Sequence, residues 1–143
     1  SENINISGNG IVNNDFNGIL EISCSDMTIS NNYISSNNEF GIQMFSSNYN
    51  TIKKNKVKNQ CREGISLHKS INNVIKCNTL TYNFLGVSFR YYSNDNWIEK
   101  NEITSNHGDG VLFINSNNNT FIGNNILNNI VDGIFLSIIL IKS

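Results

Sequence analysis

Apolar and polar positions alternate along this chain in a pattern that returns after about 23 residues, six times in all. In each unit an apolar residue is followed by Asn three positions later and by a second apolar residue two positions after that, as in Ile52, Asn55 and Val57. A second block starts with Gly and alternates again, as in residues 64–67. Short alternating segments predict β-strands, and a period of this length predicts one structural unit per repeat.

The repeated unit contains no amphipathic segment of helix length, because Asn, Gly and Ser recur every few residues. Short strands without helices can bury all their apolar faces by coiling, so that each turn stacks in parallel on the turn before. We therefore predict an all-β fold, a right-handed parallel β-helix of six turns of about 23 residues. Two inward columns are expected: Ile29, Ile52, Ile75, Ile98 and Phe121 in one, and Ile42, Ile65, Val87, Val111 and Ile134 in the other.

A leucine-rich repeat is the alternative fold, because it has a similar period and also stacks Asn residues. That fold requires the pattern L-x-x-L-x-L before its Asn. This chain has Ile-x-x-Asn-x-Ile in the corresponding place, and the pattern therefore favours the β-helix.

Asparagine makes up roughly a fifth of the chain, far above its ordinary share. Asn tolerates the left-handed backbone of sharp bends, and its amide can donate and accept hydrogen bonds along a stack of identical residues. We predict two Asn ladders at the bends, with a structural role and no chemistry. Their members are Asn9, Asn32, Asn55, Asn78, Asn101 and Asn124 in the first, and Asn14, Asn37, Gln60, Asn83, Asn106 and Asn129 in the second.

Two units depart from the regular spacing. The fourth is one residue short before Gly86 and one residue long after it, with Tyr91 and Tyr92 filling the excess. In the first unit, regular spacing would turn Glu21 toward the core without a partner, which is costly. We therefore predict a β-bulge after Gly18 that turns Leu20 and Ile22 inward instead.

Composition limits the setting of the protein. The formal net charge is −1, with 10 Lys and Arg against 11 Asp and Glu, which argues against nucleic acid as a partner. Residues 1–143 are expected to form one domain, and a start at Ser1 without a signal peptide suggests a segment of a longer protein. The apolar run 134–141 is shorter than the ~20 residues of a membrane span, and we expect it to form the last core turn and its cap.

The metal-ligating residues do not gather at one position of the repeat. Cys24, Cys61 and Cys77 fall at three different positions, so neither a disulfide nor a thiolate cluster is expected. His68, His107, Met27 and Met44 do not share one stripe. We predict no metal site and no cofactor.

Units such as residues 32–34, followed by residues 41–44, Ser47 and Asn50, resemble the NosD-like repeats of the right-handed β-helix superfamily. That superfamily includes the carbohydrate-binding and sugar-hydrolase (CASH) domains. The resemblance covers nearly the whole chain and implies an extracellular, cell-surface or periplasmic location with frequent polysaccharide association. The namesake is a periplasmic accessory in the maturation of the copper site of nitrous oxide reductase. This chain lacks a cluster of soft copper ligands, and that role stays an alternative.

Enzymatic relatives of this superfamily are a second alternative, as polysaccharide lyases or hydrolases. Residues 107–110, His-Gly-Asp-Gly, are the nearest fragment and match none of the motifs of those enzymes. Asp109 and Asp132 lie on successive turns and could come within the 5–9.5 Å that glycoside hydrolysis needs. They are weak acidic candidates, because such a pair beside turns is more often solvent-exposed surface. We assign no catalytic residues and lean against an enzyme.

An outward stripe offers a better candidate, for binding. Phe45, His68, Arg90 and Tyr91 follow the Gly blocks of consecutive units and should stack on the outside of the rod. Flat aromatic side chains beside hydrogen-bonding groups suit sugar rings. The sequence therefore predicts a non-catalytic extracytoplasmic scaffold or carbohydrate-binding module of a surface or secreted protein, with a polysaccharide or glycan as its partner.

Overall fold

A computed structural model describes residues 3–139, and every regular element in this range is a short strand. Each turn contributes three strands. The first turn contains β1 (Asn5–Ser7), β2 (Gly10–Val12) and β3 (Ile19–Ile22), and the second β4 (Thr28–Ser30), β5 (Tyr33–Ser35) and β6 (Ile42–Phe45). The third contains β7 (Thr51–Lys53), β8 (Lys56–Lys58) and β9 (Ile65–His68), and the fourth β10 (Val74–Lys76), β11 (Thr79–Thr81) and β12 (Val87–Arg90). The fifth contains β13 (Trp97–Glu99), β14 (Glu102–Thr104) and β15 (Val111–Ile114), and the sixth β16 (Thr120–Ile122), β17 (Asn125–Leu127) and β18 (Ile134–Ser137).

Equivalent strands of successive turns pair in parallel and form three six-stranded sheets. Sheet 1 holds the first strand of each turn, sheet 2 the second and sheet 3 the third. The predicted right-handed parallel β-helix of six turns is confirmed. The alternative prediction of a leucine-rich repeat is wrong.

Inward side chains stack in columns, and both predicted columns are confirmed. Ile52, Ile75 and Ile98 pair in register in sheet 1 and are fully buried. A further column of sheet 3 holds larger side chains, in which the rings of Phe89 and Phe113 stack with centroids 4.9 Å apart. The core is therefore one continuous apolar column along the axis of the rod.

The repeated Gly at the start of sheet 3 marks a close approach between turns. A Cβ atom on Gly110 would lie 2.7 Å from the carbonyl oxygen of Gly133 in the next turn. Real side chains do not tolerate such a contact, so the backbone spacing of the stack requires Gly at this position.

Both predicted Asn ladders form. The backbone N–H and the Nδ2 of Asn78 both donate to Oδ1 of Asn101 in the next turn, at 2.9 and 3.0 Å. Its Nδ2 also donates to the carbonyl oxygen of Ile52, at 3.0 Å. Oδ1 of Asn78 in turn accepts from the backbone N–H and Nδ2 of Asn55. A buried amide is thus fully hydrogen-bonded by the turns above and below it.

The expected reason for Asn at the bends needs a correction. The left-handed residue is the one before each ladder residue: Lys54, Cys77 and Lys100 have φ of 55°, 55° and 53°. The ladder Asn residues themselves are not left-handed. The bend at the preceding residue turns the Asn side chain toward the next turn, so hydrogen bonding rather than backbone tolerance selects Asn.

Two further ladders had not been predicted. Asn50, Asn73, Asn96 and Asn119 form a third Asn ladder before sheet 1, in which the backbone N–H of Asn73 donates to Oδ1 of Asn96 at 2.9 Å. Ser47, Ser70, Ser93 and Ser116 form a Ser ladder after sheet 3, in which each backbone N–H donates to the next Oγ.

The bulge predicted after Gly18 is wrong. Strand β3 pairs with β6 in unbroken register, with Ile19 opposite Ile42 and Glu21 opposite Met44. Leu20 and Ile22 therefore point outward, with 50% and 62% of their surfaces exposed. The backbone pairing with the second turn fixes the register, and one buried carboxyl does not overcome it.

Glu21 consequently lies in the apolar core. It is 2% exposed, and neither carboxyl oxygen has a hydrogen-bond partner among the described residues. Burial raises the pKa of this carboxyl from 4.5 to about 7.

The irregular fourth turn is confirmed. Ser88 pairs with Ser66, 22 residues before it, and with Leu112, 24 residues after it. Tyr91 and Tyr92 occupy the extra length, and both are left-handed, with φ of 49° and 67°. The backbone N–H of Ser93 then rejoins the Ser ladder by donating to Oγ of Ser116 at 3.2 Å.

The last described turn is open to solvent. Strand β18 pairs with β15, but Ile134 and Leu136 are 46% and 72% exposed. Of the expected cap at 134–141, residues 140 and 141 lie outside the described residues. Among residues 3–139 no helix has the length and hydropathy of a membrane span.

Candidate functional site

Three of the four stripe residues stack on one outer edge of sheet 3. The ring centroids of Phe45 and His68 are 4.8 Å apart, and those of His68 and Tyr91 are 4.9 Å apart. The rings tilt by 42° and 49° to one another, so part of each face is presented to the outside. We call Phe45, His68 and Tyr91 the aromatic stack.

The position of the stack follows from the register and from the extra residue of the fourth turn. Phe45 and His68 are the last residues of β6 and β9 and pair directly. Arg90 is the residue opposite His68 in β12, but the ring that contacts His68 belongs to Tyr91. Consecutive left-handed residues with bulky side chains carry backbone strain, which concentrates at functional sites. The residues that follow the Gly blocks predicted this location, and the extra residue of the fourth turn explains why Tyr91 rather than Arg90 completes the stack.

An open groove of about 360 Å³ lies beside the stack. Its walls offer aromatic faces, an ammonium group and an amide, which together can pack against a ring and hydrogen-bond to hydroxyl groups. The lining residues are His68, Lys69, Tyr91, Tyr92, Asn115 and Ile139.

The pKa of His68 lies below its ordinary value of 6.5, first because of burial and then because of the charges of Lys69 and Arg90. The imidazole is therefore neutral at pH 7. In this form one ring nitrogen donates a hydrogen bond and the other accepts one.

The Arg90 side chain does not join the aromatic stack and instead extends across the outer face of sheet 3. Its guanidinium donates to a carboxylate oxygen of Glu63 at 2.8 Å, and the Glu63 side chain is only 5% exposed. The outward residues Ser66 and Ser88 are nevertheless buried, and the hydroxyl of Ser88 donates to Oγ of Ser66 at 2.9 Å. Of the four predicted stripe residues, three therefore form the aromatic stack, and the fourth, Arg90, pairs with Glu63 instead.

A second cleft, of about 320 Å³, lies at the other end of β9 and is named here the arginine cleft. It contains two ion-paired guanidinium groups: that of Arg90, paired with Glu63, and that of Arg62, whose Nε lies 2.6 Å from a carboxylate oxygen of Glu39. The cleft residues other than Arg90 were not among the predicted site residues. Its lining residues are Cys61, Arg62, Glu63, Phe84 and Arg90.

Asp109 and Asp132 lie on neighbouring turns and are linked through the backbone. Oδ1 of Asp109 accepts the backbone N–H of Asp132 at 3.0 Å. The equivalent residue of the first turn, Asn17, does the same for the N–H of Phe40 at 3.2 Å. Asp109 therefore acts here as a bridge between turns, as an amide does elsewhere in the rod.

The potential metal ligands are dispersed. Cys24, Cys61 and Cys77 are free thiols, and His107 is exposed, away from His68. Within residues 3–139 no three His, Cys, Asp or Glu side chains come close enough to hold a metal ion.

Comparison with protein families identifies a match over most of the chain. The model of the family described as periplasmic copper-binding protein (NosD) matches residues 1–106. No curated protein sequence matches the chain.

Solved structures with the same fold include enzymes that act on polysaccharides. A mutant of the periplasmic alginate epimerase AlgG has a TM-score of 0.91 at 23% identity, over 97% of this chain and 34% of its own. The A-module of the mannuronan C-5 epimerase AlgE4 of Azotobacter vinelandii has a TM-score of 0.61 at 14% identity, over 96% of this chain and 56% of its own. The enzymatically active domain of tailspike protein 2 of bacteriophage CBA120 has a TM-score of 0.56 at 13% identity, over 80% and 24%.

At these identities the similarity shows the fold alone. The chain spans between 34% and 39% of the length of the AlgG structures that it matches.

Proposed function

The chain belongs to the NosD family of periplasmic copper-binding proteins, and from this premise we propose that it works outside the cytoplasm as a non-catalytic β-helix that binds polysaccharide. A periplasmic location is part of the family description, and AlgG is also a periplasmic protein. We propose the periplasm or the cell surface as its place, within a larger surface or secreted protein.

The aromatic stack is the observation that carries the binding proposal. Rings spaced by 4.8 and 4.9 Å run along the rod, and the open groove beside them supplies hydrogen-bonding groups. Sugars present apolar faces that pack on aromatic rings and hydroxyl rims that hydrogen-bond to polar side chains. A sugar seated on the stack can contact the rings of successive turns.

A glycan array with the purified protein tests this proposal. We expect at least one polysaccharide class to bind, and Phe45→Ala combined with Tyr91→Ala to weaken that binding at least tenfold, because each ring contributes about 1 kcal/mol. Trp97→Ala is the matched control, since Trp97 is a 43% exposed aromatic on the outer face of sheet 1. Binding that survives the double substitution would move the site elsewhere. An array without any bound glycan would contradict the proposal.

A polysaccharide lyase or hydrolase is the alternative function, in which Asp109 and Asp132 would be the catalytic carboxylates. The backbone hydrogen bond accepted by Asp109 favours the structural role. Incubation with neutral and acidic polysaccharides, with and without calcium, separates the two. Turnover that is lost on Asp109→Asn would replace the binding proposal with the enzyme.

A role in copper-site maturation is the second alternative, since copper binding is part of the family description. The residues at hand do not fit it, because the soft ligands Cys24, Cys61 and Cys77 are spread over three positions of the repeat, and no group of three His, Cys, Asp or Glu side chains forms among residues 3–139. We therefore propose no copper-dependent step. Stoichiometric copper binding in a competition titration with a chromogenic chelator would overturn this choice.

A further inference from the structure

The groove and the arginine cleft lie at opposite ends of β9 on the outer face of sheet 3. His68 lines the groove at the end of the strand, and Glu63 lines the cleft before its start. Arg90 joins the two places, because it begins opposite His68 and ends on Glu63. A four-residue strand is about 13 Å long, so a ligand that fills both must be an oligosaccharide rather than a single sugar.

Both guanidinium groups along this path are already paired with carboxylates of the protein. Arg62 is paired with Glu39 at 2.6 Å, and Arg90 with Glu63 at 2.8 Å. A carboxylate or sulfate group of a ligand would be attracted by each guanidinium and repelled by the carboxylate beside it. Lys69, in the groove, is the cation on this path that has no ion pair among the described residues.

An Arg–Glu pair is well suited to neutral hydroxyl groups. Each guanidinium has five N–H donors, while the carboxylate beside it accepts hydrogen bonds from hydroxyls. Phe84 stands in the same cleft with 54% of its surface exposed, and offers an apolar face for a sugar ring. The cleft therefore repeats the combination of a ring and polar groups found at the aromatic stack.

We infer that the arginine cleft is a second subsite for the saccharide that contacts the aromatic stack, and that this saccharide is neutral and rich in hydroxyls rather than acidic. The inference rests on the proposed function and adds to it the length and the chemical class of the ligand.

Matched oligosaccharides test the chemical class. Pairs of hexasaccharides of identical linkage that differ only in oxidation at C6, such as β-1,4-linked glucan and glucuronan or β-1,4-linked mannan and mannuronan, are titrated calorimetrically into the intact protein. We expect the neutral member of the bound pair to bind at least tenfold more tightly. Tighter binding of the acidic member overturns the inference but leaves polysaccharide binding intact, whereas absence of binding for all pairs contradicts the proposed function itself.

Phe84→Ala tests the second subsite without disturbing the buried ion pair. We expect binding of the neutral hexasaccharide to weaken about fivefold, with binding of the corresponding disaccharide unchanged, because the shorter ligand cannot reach from the stack to the cleft. Trp97→Ala again serves as the control for loss of an exposed aromatic. Equal affinities of the wild type and Phe84→Ala for the hexasaccharide would remove the subsite.

Discussion

The first and third turns of the rod place very different side chains at one inward position of sheet 3. In the third turn this position holds Leu67, which is fully buried among other apolar residues. In the first turn it holds Glu21, which is almost as completely buried and has no hydrogen-bond partner within residues 3–139. The comparison teaches that the neighbouring turn decides which side chains face inward, because β3 keeps its register on β6 at the expense of a desolvated carboxyl.

Breaking an Asn ladder at a central turn should have the largest effect. Asn78→Leu removes four side-chain hydrogen bonds. It leaves the buried backbone N–H of Asn55 without its acceptor, while Oδ1 of Asn101 keeps only the backbone N–H of residue 78 as a donor. We expect the free energy of unfolding to fall by at least about 4 kcal/mol in urea titrations. Lys76→Leu, an outward change in the same turn, should alter it by less than about 0.5 kcal/mol. Equal midpoints for the two variants would show that the ladder does not stabilise the rod.

Repairing the first turn should have the next largest effect. The Glu21 carboxyl ionises near pH 4.5 when unfolded but keeps its proton to about pH 7 in the fold. The contribution of this protonated carboxyl to the free energy of unfolding is therefore complete below pH 4.5 and is lost as the pH rises from 4.5 to about 7. At pH 8, Glu21→Leu should raise the free energy of unfolding by about 3 kcal/mol.

The pH dependence gives the decisive control for this prediction. In urea titrations between pH 4 and pH 8, the free energy of unfolding of the wild type should fall as the pH rises. Glu21→Gln should abolish the part of this slope that lies between pH 4.5 and about 7. A wild-type slope that persists in Glu21→Gln would assign it to other groups.

A substitution in the irregular fourth turn should raise the stability of the protein and weaken its saccharide binding. Tyr92 has φ of 67° and is 60% exposed, so Tyr92→Gly relieves backbone strain at little packing cost. We expect up to about 1 kcal/mol of added stability, together with weaker saccharide binding. Tyr49→Gly, at a regular left-handed corner with φ of 58°, should give a similar gain without the loss of affinity. Equal affinities for the two variants would separate the strain from the binding site.

The smallest effect is expected at the acidic pair. Asp109→Asn keeps an oxygen that can accept the N–H of Asp132, as Asn17 does in the first turn. The free energy of unfolding should change by less than about 0.5 kcal/mol, while Asp109→Ala should lose about 1 kcal/mol. Thermal melts of both variants check this order, which would be reversed if the two carboxylates repelled each other strongly in the fold.

Much of the fold could be read from the sequence because each turn repeats the same contacts. The spacing of Ile52, Asn55 and Val57 set both an inward column and a ladder, and the extra Tyr pair correctly marked the fourth turn. The position of Glu21 could not be read in this way. Polarity argued for an outward carboxyl, whereas hydrogen bonding to β6 fixed it inward.

The candidate site was less accessible to sequence reasoning. Repeat spacing placed Phe45, His68 and Arg90 on successive turns, and the register agrees. Repeat spacing could not show that the long Arg90 side chain pairs with Glu63 and that the Tyr91 ring contacts His68 instead. Both depend on side-chain conformation and on a buried carboxylate.

The Asn ladders have a consequence for how such a protein can evolve. Each ladder residue contacts an equivalent residue 23 positions away, so its partner is defined by position in the turn and not by identity in the chain. Duplication or deletion of one whole turn in the gene would restore every ladder contact with a different copy of the same residue. The length of the rod is therefore free to vary in units of one turn, while a change of a single residue must be absorbed locally, as Tyr91 and Tyr92 do.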